Sequence, residues 1–140
     1  MAEVSIIIPM HNATDYIEKC LSGISRQSKK NIEIILVDDG STDDTVQKAE
    51  KYGFRIVMLK DGGNPSKARN FGVKKASGNI FIFVDSDIVL KPDSIEKIVS
   101  KFSRRGVISV SGVYTKETPA AGFFSQLQNL ILCYRLSKLP

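Results

Sequence analysis

Tryptophan is absent from the 140 residues, histidine occurs once and cysteine only twice. Cys20 and Cys133 are far apart and lack metal-ligand spacing, so the pattern implies free thiols in a reducing compartment. No apolar run reaches the roughly 18 residues of a membrane span. The run at Ile6-Ile7-Ile8 is too short for a secretory leader. A cytoplasmic location follows as the expectation, including the cytoplasmic face of a membrane. Walker-type phosphate loops are missing as well. The turn after the first apolar run, Pro9-Met10-His11-Asn12-Ala13, lacks the glycines by which a dinucleotide pyrophosphate approaches a helix. That excludes a dinucleotide-binding oxidoreductase.

Hydrophobic residues make up 42% and charged residues 25%, a globular balance that argues against disorder. The length suits one domain over 1–140, and neither a repeat nor a low-complexity linker divides it. The net charge of +5 is uneven. Residues 1–96 hold 13 Lys+Arg against 14 Asp+Glu, whereas 97–140 hold seven basic residues against Glu117 alone. Near this basic end, Phe123, Phe124, Leu127, Leu130, Ile131 and Tyr134 recur at helical spacing, marking 120–138 as a basic amphipathic segment. Such a segment suits a membrane surface, or packs onto the sheet as core. The ending at Leu139-Pro140 resembles a cut more than a natural stop.

Short apolar runs alternate with helical periodicity. Strands are expected at Val4–Pro9, Ile32–Val37, Phe54–Leu59, Ile80–Val84 and Val107–Val113. Helices are expected at 14–27, with Tyr16, Ile17, Cys20, Leu21 and Ile24 on one face, and from Thr42, with Ser41 as N-cap and Gly53 at the end. Two more run from Asn64-Pro65 to Ala76 and from Pro92 to Arg104, the latter burying Ile95, Ile98, Val99 and Phe102. This order gives βαβ units: an α/β fold with a mostly parallel, Rossmann-like sheet flanked by helices.

In such a sheet, ligands bind beyond the carboxyl ends of the strands. There the second strand presents Asp38-Asp39-Gly40-Ser41 and the fourth Asp85-Ser86-Asp87. Hard divalent cations take carboxylate oxygens and fill their remaining positions with phosphate and water oxygens. Asp85 and Asp87 are therefore metal candidates, although a lone Asp-x-Asp is more often a solvated strand end. One of Asp38 and Asp39 suits a base N–H or a ribose hydroxyl, and the other a structural cap. Lys67 and Arg69 lie near a helix N-terminus, against the preference of its dipole, which suits an anionic ligand. A phosphatase built on an Asp-x-Asp pair is a weaker reading, because that class places the pair after its first strand.

Together these motifs resemble the N-terminal part of a family 2 glycosyltransferase with the GT-A fold. The matching pieces are Val4-Ser5-Ile6-Ile7-Ile8-Pro9-Met10-His11-Asn12, Glu33 to Thr45, Lys67-Ala68-Arg69-Asn70-Phe71-Gly72 and Val84-Asp85-Ser86-Asp87. The resemblance implies inverting, Mn2+- or Mg2+-dependent transfer of a sugar from a nucleoside diphosphate, with UDP- or GDP-sugars as expected donors. It implies that Pro9, His11 and Asn12 line the nucleotide pocket and that Asp39 contacts the base, with Asp38 beside it. Lys67, Arg69, Asp85 and Ser86 are then expected near the donor, and Asp85 and Asp87 at the metal, Asp87 the more direct ligand. His11 stands where the family often has tyrosine, and is not expected to bind metal. The expected acceptor is lipid-linked or a polysaccharide; nucleic acid is not an expected partner. One departure stands out. The family's catalytic base lies well beyond the metal motif, and no match to it follows Asp87, so a non-catalytic donor-binding module is the alternative.

Overall fold

The computed structural model describes residues 3–59 and 63–112. The chain divides into two compact units, Met1–Val99 and Ser100–Pro140. In the first, four strands, β1 (Val4–Met10), β2 (Ile32–Asp38), β3 (Arg55–Met58) and β4 (Ile80–Phe83), form one parallel sheet in the order β3-β2-β1-β4. Helices α1 (Ile17–Ser25), α2 (Thr45–Glu50) and α3 (Pro65–Lys75) fill the connections, and α4 (Ser94–Phe102) follows β4.

β1 is buried at every position because helices cover both faces of the sheet. Val4, Ile6, Ile8 and Met10 face Ile17, Cys20, Leu21 and Ile24 of α1, Ala49 of α2 and Ile95 of α4. The alternate residue Ile7 joins Ile35, Val37 and Ala68 beneath α3. Each fully buried isoleucine contributes about 1.5–3 kcal/mol by leaving water. The chain steps outward from β1 to β2 and β3, then returns to β4 on the other side of β1. That reversal opens a crevice at the carboxyl ends of β1 and β4.

Several boundaries differ from the sequence expectation. Helix α2 begins at Thr45, with Asp44 rather than Ser41 in the N-cap position. Asp43 holds the bend before it, its Oδ1 accepting from the Thr45 N–H at 3.0 Å and from the Thr45 hydroxyl. The hydroxyl of Ser41 instead accepts from the Asn12 N–H at 3.1 Å. Tyr16 precedes α1 and is 55% exposed, so it is not part of the core face expected of it. In α4, Ile95 is fully buried while Ile98 and Val99 are partly so. In the second unit no strand forms over 107–112, where the sequence suggested a fifth. The amphipathic segment 120–138 lies outside the described residues.

Candidate functional site

A cleft of about 600 Å³ opens at this crevice. It is lined by the β1 end and the loop after it (Pro9 to Ala13, and Tyr16), by Asp39, by Gly63, Pro65 and Arg69, and by Asp85-Ser86-Asp87. Four loops and the first turns of α3 thus converge on one space.

The two aspartates that end β2 part ways. Asp38 is fully buried and accepts backbone N–H groups from Gly40 and Ser41, both at 3.2 Å to Oδ2. Gly40 closes that turn with φ of +81°, a conformation that glycine adopts without penalty. Asp38 thus already has partners within its own turn. Asp39 is 5% exposed, lines the cleft, and has a buried carboxylate oxygen, Oδ1, without a hydrogen-bond partner. Leaving such an acceptor unsatisfied costs about 1–3 kcal/mol, more for a charge.

The β1–α1 loop is stitched to this turn. His11 Nδ1 lies 3.0 Å from the Asp39 carbonyl oxygen. Because a carbonyl only accepts, Nδ1 carries the proton and Nε2 is left as the acceptor in the neutral ring. Asn12 takes the left-handed conformation, φ of 47°, which asparagine tolerates better than most residues. Its Oδ1 accepts from the Thr42 N–H at 2.9 Å.

α3 starts as its sequence indicates: the Asn64 side chain accepts from the Ser66 N–H at 2.8 Å and Pro65 occupies the first turn. One turn on, Arg69 reaches into the cleft and pairs with Asp85, Nη2 to Oδ1 at 2.5 Å. Lys67, on the same helix, is exposed and outside the cleft lining. Asp85 also opens a tight turn, its carbonyl accepting from the Ile88 N–H at 3.0 Å, with Ser86 and Asp87 at the tip. Beneath lies Cys20, whose thiol is pushed up to about 12 by burial and then by the negative charges of Asp87 and Asp85. It remains a protonated donor, 3.7 Å from the Asp85 carbonyl.

Among the described residues, no group of three or more His, Cys, Asp and Glu is placed to hold a metal ion unaided. Asp85 and Asp87 supply two carboxylates at one turn, a donor set that fits a hard cation whose other ligands are phosphate and water oxygens. Gly63, Pro65 and Tyr16 line the cleft without having been expected there, whereas Met10 and Ala13 extend the expected stretch after Pro9. Only Tyr16 carried a usable signal, an aromatic ring near the start of the helix expected at 14–27.

Comparison with known proteins agrees with this arrangement. The sequence model of glycosyl transferase family 2 matches residues 5–138. Glycosyltransferase GlyG of Streptococcus pneumoniae serotype 4 is 31% identical over 126 residues, covering 86% of this chain and 42% of GlyG. The crystal structure of S. aureus TarS 1-349 in complex with UDP-GlcNAc matches with a TM-score of 0.70 and 30% identity, over 86% of this chain and 38% of that one. Glucosyl-3-phosphoglycerate synthase from Mycobacterium tuberculosis, in complex with Mn2+, UDP and glucosyl-3-phosphoglycerate, matches with a TM-score of 0.64 and 28% identity, over 72% and 39%. The chain spans less than half the length of each of these relatives. With the parallel sheet, its switch-point cleft and a family match over nearly the whole sequence, the chain belongs to glycosyl transferase family 2 and has the GT-A fold.

Proposed function

We propose that this chain binds a nucleoside-diphosphate sugar in the switch-point cleft, as the donor half of an inverting, metal-dependent glycosyltransferase. The observation that carries the reading is the buried, unpartnered Oδ1 of Asp39 in the same cleft as Asp85-Ser86-Asp87. One acid waits for a donor group; the other two suit a cation and a diphosphate. Support also comes from TarS and the mycobacterial synthase, whose structures hold UDP-GlcNAc, and UDP with Mn2+, respectively.

On this reading Asp39 accepts an N–H from the base, and His11 fixes its backbone through the Asp39 carbonyl. Pro9, Asn12 and Tyr16 enclose the nucleoside. Asp87 and Asp85 would hold a Mn2+ or Mg2+ ion, whose positive charge would be supplied to the diphosphate. Arg69, already against Asp85, adds positive charge beside the same oxygens. Ser86, at the tip of the turn, contacts the donor. The acceptor is lipid-linked or a polysaccharide, and the basic segment at 120–138 brings the chain to an anionic membrane surface on the cytoplasmic side.

A second reading, a donor-binding module without turnover, is favoured by one observation. The acids lining the cleft among the described residues are Asp39, Asp85 and Asp87, and each already has a task in donor binding. Calorimetric titration of UDP, GDP and CDP with Mn2+, Mg2+ or EDTA tests the donor site. The expected result is binding of UDP or GDP that depends on the metal. Absence of nucleotide binding under every condition contradicts it. Sugar release from the bound donor, assayed with the same chain, separates the enzyme from the silent module.

A further inference from the structure

The turn that carries Asp85 and Asp87 does not stand alone at the end of β4. Its pivot is the Asp85 carbonyl oxygen, which accepts two donors: the Ile88 N–H at 3.0 Å, closing the turn, and the Cys20 thiol at 3.7 Å, from inside α1. Three residues along α1, buried Gly23 meets the continuation of the same segment. A Cβ at Gly23 would lie 3.2 Å from Leu90 N, 3.3 Å from Leu90 O and 3.3 Å from Val89 Cγ1. The backbone at 89–90 therefore rests directly on the helix, where only a hydrogen fits freely.

Just past the helix end, Gln27 is 3% exposed and fully used. Its Nε2 donates to Lys91 O at 2.8 Å and Gly23 O at 3.0 Å, and its Oε1 accepts from Ile95 N at 3.1 Å. The Ser28 N–H donates to Pro92 O at 2.8 Å. The segment from Asp85 to Ile95 is thus held at successive points along α1 and just past its end. Cys20, Gly23, Gln27 and Ser28 all lie outside the cleft lining.

We infer that α1 is the seat of the metal-motif turn, with Cys20, Gly23 and Gln27 as positioning residues that set where the Asp85 and Asp87 carboxylates stand. This rests on the donor-site reading above. Groups that orient metal-binding side chains without touching the ion typically govern metal affinity by about 10–100-fold when removed. Here the lever is the backbone of the turn rather than the carboxylates. Cys20 holds the pivot carbonyl, Gly23 sets how closely the following strand of chain approaches, and Gln27 anchors its far end and the start of α4.

The test compares UDP affinity with Mn2+ and with EDTA in the wild-type chain, Cys20→Ala, Cys20→Ser and Gly23→Ala. The ratio of the two affinities isolates the metal's share. Cys20→Ala removes the donor to the pivot; Cys20→Ser restores a donor; Gly23→Ala breaks no bond but pushes Val89 and Leu90 outward by a few tenths of an ångström. The expected result is a ratio lowered about tenfold or more in Cys20→Ala and Gly23→Ala, with partial recovery in Cys20→Ser. Affinity in EDTA stays at the wild-type level in all three. An unchanged ratio in both Cys20→Ala and Gly23→Ala overturns the inference, as does an equal loss with Mn2+ and EDTA, which marks a purely structural role. If wild-type UDP binding gains nothing from Mn2+, the metal part of the donor-site reading fails and this inference falls with it.

Discussion

Asp38 and Asp39 are neighbours of the same type, yet their environments assign them opposite work. Successive side chains of a strand point to opposite faces, so only one of the pair can turn into its own loop while the other meets the cleft. Asp38 satisfies Gly40 and Ser41, and Asp39 keeps an oxygen in reserve. Replacing Asp39 by Asn removes the charge while keeping the shape. The expected outcome is a loss of nucleotide affinity of roughly tenfold or more, since hydrogen bonds to charged groups contribute about 1.5–3 kcal/mol. The melting temperature of the free chain should not fall, because the variant no longer buries a carboxylate with an unpaired oxygen. Calorimetry and thermal unfolding read the two effects separately; wild-type affinity in the variant contradicts the role given to Asp39. The residues alone left open which member of the pair meets a nucleotide, and the family resemblance assigned that contact to Asp39 with Asp38 beside it. The choice depends on the Gly40 turn, which the Asp-Asp-Gly string does not reveal. Cys20 was legible only as an apolar helix position, and its contact with the Asp85 carbonyl comes from a residue 65 positions away.

At the scale of elements, the strands and most helices follow directly from patterning: continuous apolar runs in β1 and β2, and the Asn64-Pro65 start of α3. Departures arise where side chains compete with backbone. α2 starts late because Asp43 bends the chain before it and takes both the N–H and the hydroxyl of Thr45. Over 107–112 an apolar alternation is present without a strand, since period-two patterning alone supplies no neighbour to pair with. α3 is placed by close approach to the sheet at Gly72, where a Cβ would come within 2.5 Å of Ile7 Cγ2 and 3.1 Å of Val37 Cγ2. Gly72→Ala must lift the helix or force the β1 and β2 side chains aside, at about 1–3 kcal/mol. Arg69 lies one turn earlier and moves with the helix. Both stability and UDP affinity are therefore expected to drop, as measured by denaturant unfolding and calorimetry; a variant as stable as wild type contradicts the close packing described.

For the molecule as a whole, stabilising contacts gather at the amino ends of the strands, while the cleft proposed for the donor lies at their carboxyl ends. Glu33 marks the stabilising end. Burial pushes its carboxyl up, but hydrogen bonds from Ser5 and from the Ser77 N–H and hydroxyl, with the charge of Arg55, outweigh that and hold it below its ordinary value of 4.5. A carboxyl lowered in the folded state stabilises above the unfolded value, and that contribution is lost as pH falls through the folded one. Acidification below about pH 4.5 should therefore erode wild-type stability more than that of Glu33→Gln, narrowing the gap in melting temperature between them. A gap that stays constant across this range contradicts the assignment. The order β3-β2-β1-β4 could not be read from the sequence, because alternating strands and helices fix parallel pairing but not which side of β1 receives β4. That choice creates the cleft.

On the proposed function, one cleft holds a nucleoside diphosphate between Asp39 and a metal at Asp85-Ser86-Asp87. Anomalous diffraction from a crystal of this chain grown with UDP and Mn2+ tests it most directly. The expected result is an anomalous manganese peak at Asp85-Ser86-Asp87, beside the diphosphate, with the uracil N–H on Asp39. Manganese elsewhere, or a nucleotide whose base avoids Asp39, would contradict it.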